Sequence, residues 1–444
     1  MITIKIPNET KHIIQALQDN GYEAYVVGGC VRDSLLGLQP KDWDICTSAT
    51  PEQVKDILPN RTIDTGLKHG TITVVTDDGH YEVTTYRVDG NYSDNRHPDK
   101  VTFVTHLSDD LARRDFTINA MAYNDVDGIV DKFGGIGDIA SKQISCVGNP
   151  DDRFSEDALR ILRAMRFASV YGFSIQQGTK KSIHLNKGKL SNIAYERIQA
   201  ELIKILCGKN VLQILLEFSD VISQIIPEIK PCVGFDQNNK YHQYTIYDHI
   251  AHAVSNYQGN DISVKVALLL HDIGKPLCYT EDHNGGHFHG HAVPGRDLAE
   301  AILNRLKFDN KTKTEVLELV LYHDSVIEPT IKTVKRWLNR IGESRFRQLI
   351  EVKKADAKAH KVGTYEKHLV QYDILLKIID EVVASEQCFK ISDLAISGHD
   401  IIQLGIPEGV LIGKILRDVL NKVINDELKN DKNELIEWIR TVNN

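Results

Sequence analysis

Two aspartates separated by one residue, Asp42 and Asp44, lie in the stretch VVGGCVRDSLLGLQPKDWDICT, residues 26–47. We predict a strand over 43–47, and side chains at positions i and i+2 of a strand point to the same face. Both carboxylates should therefore project together, with Glu82 of the later segment YEVTTYR as a third. Such a set suits Mg²⁺, and a pair of these ions can activate a hydroxyl and neutralise a departing pyrophosphate.

A glycine pair precedes the two aspartates and predicts a turn that opens a helix. At Gly28 and Gly29 the backbone N–H groups can approach phosphate oxygens, and Arg32 adds positive charge one helical turn later. A second basic pair, Arg113 and Arg114, directly precedes a predicted helix over 115–123, whose N-terminus would also favour an anion. The sequence thus predicts phosphate-binding groups close to a carboxylate metal site.

A row of charged residues lies on a further predicted helix, SEDALRILRAMRFA, over residues 155–168. Asp157 and Arg160, three residues apart, should share one helix face, and Arg163 and Arg166 continue the row. The apolar residues between them need burial, which leaves the charged row facing a groove. An aspartate acceptor and a forked arginine donor can match the polar edges of cytosine and adenine, and guanine and uracil present another donor and acceptor order.

Histidines are concentrated between residues 241 and 360, and several accompany aspartates. Imidazole and carboxylate groups at this spacing on helices suit a divalent metal ion. The candidate ligands are His249, His271, Asp272, His291, His323 and Asp356. This series resembles the HD superfamily of metal-dependent phosphohydrolases, whereas His283, His287 and His289 are interpreted as loop histidines.

The elements that must position these groups change in character along the chain. Short β-type runs at 24–28, 43–47, 71–76, 81–87 and 101–103 alternate with helical stretches at 9–19 and 51–58, and from about residue 155 nearly every apolar pattern has helical period. We therefore predict an α+β protein, a mixed α/β head followed by all-α domains. The predicted segments are 1–148 (head), 149–208 (neck), 209–385 (body with the histidine cluster) and 386–444 (tail).

Composition excludes several classes of protein. A chain of 444 residues with 42% hydrophobic and 26% charged residues is typical of a globular protein with several domains. Unbroken apolar stretches of transmembrane length and a secretory signal pattern are lacking, so we expect a cytoplasmic protein that does not contact a membrane. The seven cysteines lack CxxC spacing, which argues against a disulfide framework. The net charge of −8 does not exclude a nucleic-acid partner, because lysines and arginines can cluster in one groove.

The ordered set of motifs resembles the class II tRNA nucleotidyltransferases, the family of CCA-adding enzymes and bacterial poly(A) polymerases. Besides the glycine pair and the aspartates, the resemblance rests on TGLKHGTITV, LARRDFTINAMAY, SEDALRILRAMRFA and YERIQAEL, in that order. It implies a polymerase-β-like head, Mg²⁺ as cofactor, and tRNA, CTP and ATP as partners. It also implies base selection by Asp157 and Arg160, triphosphate contact by Arg163 and Arg166, nucleotide binding by Arg113, and a tail that binds tRNA.

Three functions remain open on the sequence alone. The first is addition of C and A, or of the terminal A only, to the tRNA 3′ end, and the intact-looking loop 88–100 argues against a CC-only enzyme. The second is poly(A) polymerase activity. An extended basic C-terminal tail would favour it, and no such tail is seen in residues 386–444. The third is phosphohydrolysis by the histidine cluster, which the resemblance associates with cyclic or 2′-phosphates at RNA ends. The metal of that cluster and the oligomeric state are not determined.

Overall fold

The computed structural model describes residues 3–58, 61–90, 100–239, 242–283, 285–385 and 387–443. The chain divides into two compact units, Met1–Pro227 and Glu228–Asn444. The finer division into head, neck, body and tail stays a prediction. Most of the predicted loop 88–100 lies outside the described residues.

The first unit begins as a mixed α/β layer and ends as a set of helices, as predicted. Its strands are β1 (Ala24–Val27), β2 (Ile45–Thr47), β3 (Thr62–Gly66), β4 (Thr71–Thr76), β5 (Gly79–Thr85), β6 (Arg87–Asp89), β7 (Val101–Phe103), β8 (Met121–Asn124), β9 (Gly128–Asp131), β10 (Gln143–Ile144) and β11 (Ser174–Ile175). Its helices are α1 (Asn8–Asp19), α2 (Gly29–Leu35), α3 (Pro51–Ile57), α4 (Leu107–Ala112), α5 (Gly135–Ala140), α6 (Pro150–Glu156), α7 (Leu159–Tyr171), α8 (Gln177–Asn186), α9 (Tyr195–Leu206), α10 (Val211–Glu217) and α11 (Ser219–Ile225).

A seven-stranded sheet in the order β3-β4-β5-β2-β1-β8-β9 forms the centre of the head. Strands β2 and β5 pair in parallel, and the other neighbours are antiparallel. Alternate residues of β1 enter opposite cores: Val26 packs in the cluster that includes α1, and Val27 packs in the cluster that includes α4. The sheet is therefore buried on both faces at its centre, along β1.

Three sequence predictions about local structure are wrong in detail. The strand predicted over 43–47 begins only at Ile45, because ladder pairing to β1 and β5 starts there. The helix predicted over 115–123 is replaced by a short 3₁₀ turn, Thr117–Asn119, and β8, whose residues complete the sheet beside β1. The single helix predicted over 155–168 is interrupted at Asp157, where the backbone is extended with φ −140° and ψ 105°.

The second unit consists mainly of helices. Its helices are α12 (Ile246–Asn256), α13 (Ile262–Leu270), α14 (Ala292–Arg305), α15 (Asn310–Tyr322), α16 (Ile331–Ile341), α17 (Glu343–Ala357), α18 (Glu366–Ala384), α19 (Gly398–Gln403), α20 (Val410–Ile424) and α21 (Lys432–Asn443). One antiparallel hairpin, β12 (Thr280–Asp282) with β13 (Gly285–His287), was not predicted, and it places His287 in a strand. In the described part of the chain, no helix has the length and apolar character needed to cross a membrane.

Candidate active site and metal centre

The parallel pairing of β2 with β5 places the head carboxylates side by side. Ile45 is opposite Val83, so Asp44, the residue just before β2, lies beside Glu82, which precedes Val83 within β5. The backbone carbonyl of Asp44 accepts a hydrogen bond from Val27 N–H at 3.0 Å, which fixes the chain just before β2. Asp42, Asp44 and Glu82 are all exposed, as a site for a soluble substrate requires.

The electrostatics of Asp44 reflect this clustering. Desolvation by the surrounding protein raises the pKa of the Asp44 carboxyl, and the negative charges of Glu82 and Asp42 raise it further, against the opposing charge of Arg114. Desolvation is the larger cause of this shift, and repulsion between the carboxylates adds to it. A divalent cation is the natural partner of carboxylates that repel one another in this way.

The glycine pair forms a strained turn between β1 and α2. Gly28 has φ 80°, a left-handed conformation that favours glycine, and a Cβ added there would lie 3.0 Å from Nη1 of Arg114. The N–H of Gly28 donates to the carbonyl of Met121 at 3.1 Å. This N–H is therefore already used within the head, so its approach to phosphate stays a prediction, and Gly29 is the other candidate of the pair.

Two of the predicted phosphate-binding arginines are held in internal networks. Arg32 is buried, with its guanidinium bonded to Asp33 and, at 2.6 Å, to Oδ1 of Asn119. Arg113 follows the C-terminus of α4 instead of preceding a helix, and it bridges Asp110 at 2.7 Å and Asp89 at 3.3 Å. The nucleotide contacts of Arg32 and Arg113 stay predictions. A bound nucleotide would have to share each arginine with the protein partners that it already has.

The interruption at Asp157 changes how the selecting pair is arranged. Oδ1 of Asp157 accepts from the N–H of Leu159 at 3.0 Å, and Oδ2 pairs with Arg197 at 2.8 Å. The N–H of Arg160 still donates to the Asp157 carbonyl at 3.0 Å, so the pair remains adjacent although it does not share a helix. Arg160 also pairs with Glu156. Competition from the Asp157 side chain for the Leu159 N–H explains why the helix restarts here.

The remaining arginines of the row each have a carboxylate partner. Arg163 makes a two-pronged contact with Asp115, through Nε at 2.8 Å and Nη2 at 2.5 Å, and Arg166 Nε lies 2.9 Å from Glu201. Burial opposes ionisation of Asp115, but the charge of Arg163, the hydrogen bond from Asn119 and the charge of Arg160 together hold the pKa of this carboxyl well below its usual range. Sequence reasoning missed Asp115, Arg197 and Glu201, although all three lie inside the motif blocks LARRDFTINAMAY and YERIQAEL.

In the second unit, helix ends bring all six predicted ligands together. Three of them, His271, His291 and His323, are capping residues of α13, α14 and α15. Among the described residues, every group of three or more potential ligand atoms within 4.8 Å of one another lies in this cluster. The groups are His249 with His271 and Asp272, His249 with Asp356 and His360, and Asp272 with His291 and His323.

Asp272 lies at the centre of the cluster and faces two sets of histidines. Its Oδ1 is 3.2 Å from Nε2 of His291 and 3.6 Å from Nε2 of His323. Its Oδ2 is 3.3 Å from Nε2 of His271 and 3.5 Å from Nε2 of His249. Nε2 of His249 also lies 2.8 Å from Oδ1 of Asp356, so the second aspartate belongs to the Oδ2 side.

Hydrogen bonds to backbone carbonyls orient three of these imidazoles. Nδ1 of His271, His291 and His323 lies 2.8, 2.9 and 2.7 Å from the carbonyls of Leu268, Phe288 and Val320. A carbonyl can only accept, so Nδ1 carries the proton and each Nε2 points to the centre of the cluster. Nε2 of His271 and Oδ2 of Asp272 are buried and have no hydrogen-bond partner, which fits a metal ion between them.

The pKa values of two histidines in the cluster, His271 and His249, are shifted in opposite directions. Burial opposes protonation of His271, but Asp272 and Asp356 outweigh it and raise the pKa of His271 to about 10. Burial lowers the pKa of His249 to about 4, against the opposing effect of Asp356. The pKa of Asp272 is held well below its usual value, since His271 and Lys275 outweigh its burial.

A cavity of about 660 Å³ opens onto this centre. Besides four of the predicted ligands, its walls include the cationic residues Lys275 and Lys353 and the histidines His242 and His360, which sequence reasoning missed. Lys275 Nζ lies 2.8 Å from Oδ2 of Asp272, and its position in HDIGK was the available signal. The cavity opens the candidate metal ligands to solvent, and its two lysines would favour an anion.

Three protein-family models match the chain. They are the poly A polymerase head domain over residues 24–145, "Probable RNA and SrmB-binding site of polymerase A" over residues 172–232, and tRNA nucleotidyltransferase domain 2 over residues 294–439. None of these models describes a phosphohydrolase, so the resemblance of the histidine cluster to the HD superfamily stays a prediction.

Individual relatives extend the match to nearly the whole chain. A CCA-adding enzyme of Ligilactobacillus salivarius is 48% identical over 223 residues, and the alignment spans about half of both proteins, 50% of this chain and 55% of the relative. A CCA-adding enzyme of Limosilactobacillus fermentum is 34% identical over 429 residues, 96% of this chain and 94% of the relative.

A solved structure agrees with these sequence relatives. The crystal structure of the Bacillus stearothermophilus CCA-adding enzyme in complex with CTP has 30% identity and a TM-score of 0.74, and the match covers 98% of this chain and 97% of that one. Similarity at this level over almost the full length of two relatives leads to one conclusion. The chain belongs to the family of CCA-adding enzymes.

Proposed function

We propose that this protein adds C and A to the 3′ end of tRNA, using CTP and ATP and releasing pyrophosphate, without a nucleic-acid template. The observation that carries the proposal is the group of three exposed carboxylates, Asp42 and Asp44 just before β2 and Glu82 within the neighbouring strand β5. The full-length relatives named as CCA-adding enzymes support this substrate choice over poly(A) synthesis.

Each part of the first unit has a distinct task in this proposal. Asp42 and Asp44 would hold Mg²⁺, which supplies activation of the tRNA 3′-hydroxyl and charge neutralisation at the leaving pyrophosphate. Glu82 adds a third negative charge beside Asp44. The N–H of Gly29 and the arginine row would orient the triphosphate, while Asp157 and Arg160 select the base.

The test uses purified protein and three tRNA substrates, which lack the whole CCA end, the last two nucleotides, or only the terminal adenosine. Each is incubated with labelled CTP or ATP and Mg²⁺. We expect C to be added to the first two substrates and A to the third. Addition of A alone would restrict the proposal to the terminal adenosine, and long untemplated A tracts on unrelated RNA would replace it by poly(A) synthesis.

Replacement of Arg160 by alanine should relax base choice. Loss of hydrogen bonds to a base edge removes about 1–3 kcal/mol of discrimination, so we expect UTP and GTP incorporation to rise by roughly 5- to 150-fold relative to CTP and ATP. Misincorporation is measured with single nucleotides on the same tRNA.

The control is Arg153→Ala, since Arg153 pairs with the same Glu156 but lies in α6, outside the predicted selecting pair. Equal loss of rate in both variants, with unchanged selectivity, would make Arg160 a structural residue.

A second function is favoured by the cluster around Asp272. We propose that the second unit binds divalent metal and hydrolyses phosphate esters at its cavity. Support comes from the Nε2 atoms of four histidines within 3.6 Å of the two oxygens of one buried aspartate. Metal bound there would supply a nucleophilic water at neutral pH. His291 and His323 on one side of Asp272, and His249, His271 and Asp356 on the other, provide two adjacent ligand sets.

A further inference from the structure

The aromatic ring of Phe167, on α7, lies among three guanidinium groups. The central carbons of Arg166, Arg32 and Arg163 are 4.1, 5.0 and 5.5 Å from the ring centroid. The ring itself is only 5% exposed. Three like charges around one buried ring is an arrangement that packing alone would disfavour, since like charges repel.

Each of the three arginines is balanced by its own carboxylate. Arg32 pairs with Asp33, Arg163 with Asp115, and Arg166 with Glu201. The balance is incomplete at Arg166: burial lowers the pKa of its guanidinium, Glu201 opposes that effect, and the charges of Arg163 and Arg32 lower the pKa further. The arginines therefore feel one another's charge across the ring.

A second ring extends the same stack. Tyr171 lies one helical turn after Phe167, with the two rings nearly parallel, at 9°, and their centroids 6.0 Å apart. Arg32 is also 5.0 Å from the Tyr171 centroid, and the Tyr171 hydroxyl donates to Oδ1 of Asp33 at 3.0 Å. The pair of rings thus fixes the Arg32 side chain of α2 against α7.

A guanidinium that contacts an aromatic face keeps its N–H donors free, whereas one that is hydrogen-bonded to a carboxylate does not. A guanidinium over a ring interacts through its flat face, while its N–H donors lie in the plane of the group and remain available to oxygen acceptors. A carboxylate, in contrast, occupies those donors. An incoming anion can take over N–H groups from Asp115 or Glu201 while the ring holds the arginine in place.

We infer that Phe167 is a positioning residue for the nucleotide triphosphate. It holds Arg163 and Arg166 at fixed places while their N–H donors pass from protein carboxylates to phosphate oxygens. The inference rests on the proposed nucleotide addition. It states that Phe167 contributes to the affinity for the triphosphate by positioning these two arginines. Base choice, assigned to Asp157 and Arg160, should not depend on this ring.

The test compares Phe167→Leu with Phe173→Leu. Phe173 is equally buried, at 4% exposure, and packs against Tyr171 at 5.9 Å, but none of the described guanidinium groups lies over its ring. We expect Phe167→Leu to raise the KM for CTP and ATP by roughly tenfold, because the variant loses cation–π contacts that are shielded from water. The KM for tRNA and the preference for CTP over UTP should stay within about twofold in both variants, as expected for groups that do not contact the base.

A conservative variant separates the ring from mere volume. Phe167→Tyr keeps the aromatic face and should restore the nucleotide KM to within about threefold of wild type, since tyrosine binds cations through its ring as phenylalanine does. Melting temperatures of all variants identify any loss of folding. If Phe167→Leu does not fold, Phe167→Met removes the ring with a flexible apolar side chain and should raise the nucleotide KM in the same way.

Two results would overturn the inference: equal nucleotide KM in Phe167→Leu and Phe173→Leu, or an unchanged KM in folded Phe167→Met when Phe167→Leu is unfolded. Failure of the proposed function is distinguishable, because wild-type protein would then add no nucleotide to any of the three tRNA substrates.

Discussion

Protein in which Asp44 is replaced by asparagine should lose nucleotide addition by about 10³-fold or more, because a site that depends on bound metal loses several kcal/mol of transition-state stabilisation. Asparagine keeps the size of the side chain and the backbone contact from Val27 to Asp44, so the strand end should be preserved. Removal of the carboxyl also removes its repulsion from Glu82, so folding stability should be equal or higher. Asp42→Asn should behave in the same way.

The measurement is single-turnover addition of CTP to tRNA that lacks its CCA end, together with tRNA binding by filter retention. Asp78→Asn is the control, since Asp78 is exposed in the turn between β4 and β5 and belongs to no predicted site. We expect full activity in the control and near-normal tRNA binding in all variants. Near-normal addition by Asp44→Asn would remove the carboxylate site from the proposal.

The head carboxylates were identified from local features of the sequence, and their role stays a prediction. The strand expected to align Asp42 with Asp44 begins only at Ile45, so strand periodicity does not explain their placement. Asp42 and Asp44 needed only one residue of spacing, and the identification of Glu82 needed only a second β-type run. What spacing could not supply was the parallel register of β2 with β5, which brings Asp44 beside Glu82. That register depends on pairing between segments nearly 40 residues apart, and a local pattern contains no information on it.

The arginine row shows where local reasoning fails. Helical period alone placed Asp157 and Arg160 on one face, but a side-chain acceptor for the Leu159 N–H interrupts the helix. Helix 115–123 was predicted wrongly for a related reason. Its apolar residues fit both the helical and the strand period, and pairing with β1 makes Met121–Asn124 a strand. The carboxylates that neutralise the arginines come from distant segments, so no single stretch of sequence identified them.

Prediction was most complete for the histidine cluster, although its members span more than 100 residues. All six candidates lie together in the structure. They could be identified from the sequence because histidine and aspartate are rarely needed for packing at helix ends, so they stand out from the apolar pattern. The cavity residues Lys353 and His360 were missed, since a lysine or histidine on a polar helix face is ordinary. Only the fold brings them to the metal ligands.

Replacement of Asp272 by alanine should remove metal and phosphohydrolase activity from the second unit while nucleotide addition by the first unit persists. Asp272 faces four histidines through its two oxygens, so its loss affects both ligand sets at once. Groups that only support metal ligands already contribute roughly 10–100-fold, so hydrolysis of cyclic phosphate or 2′-phosphate RNA ends should fall by more than about 100-fold. CTP and ATP addition should remain within about twofold, since the two compact units fold around separate cores.

Metal content is measured by mass spectrometry after dialysis against Mn²⁺, Ni²⁺ or Mg²⁺, and it gives a readout that does not depend on the choice of substrate. Asp324→Asn is the matched control, because Asp324 lines the same cavity beside His323 but belongs to none of the ligand groups. Circular dichroism and melting temperature must show that Asp272→Ala is folded, since the change leaves four buried imidazoles without their central carboxylate. Wild-type metal content in folded Asp272→Ala would refute the metal centre. Loss of nucleotide addition in that folded protein would instead show that the two units act as one, because Asp42, Asp44 and Glu82 would be intact.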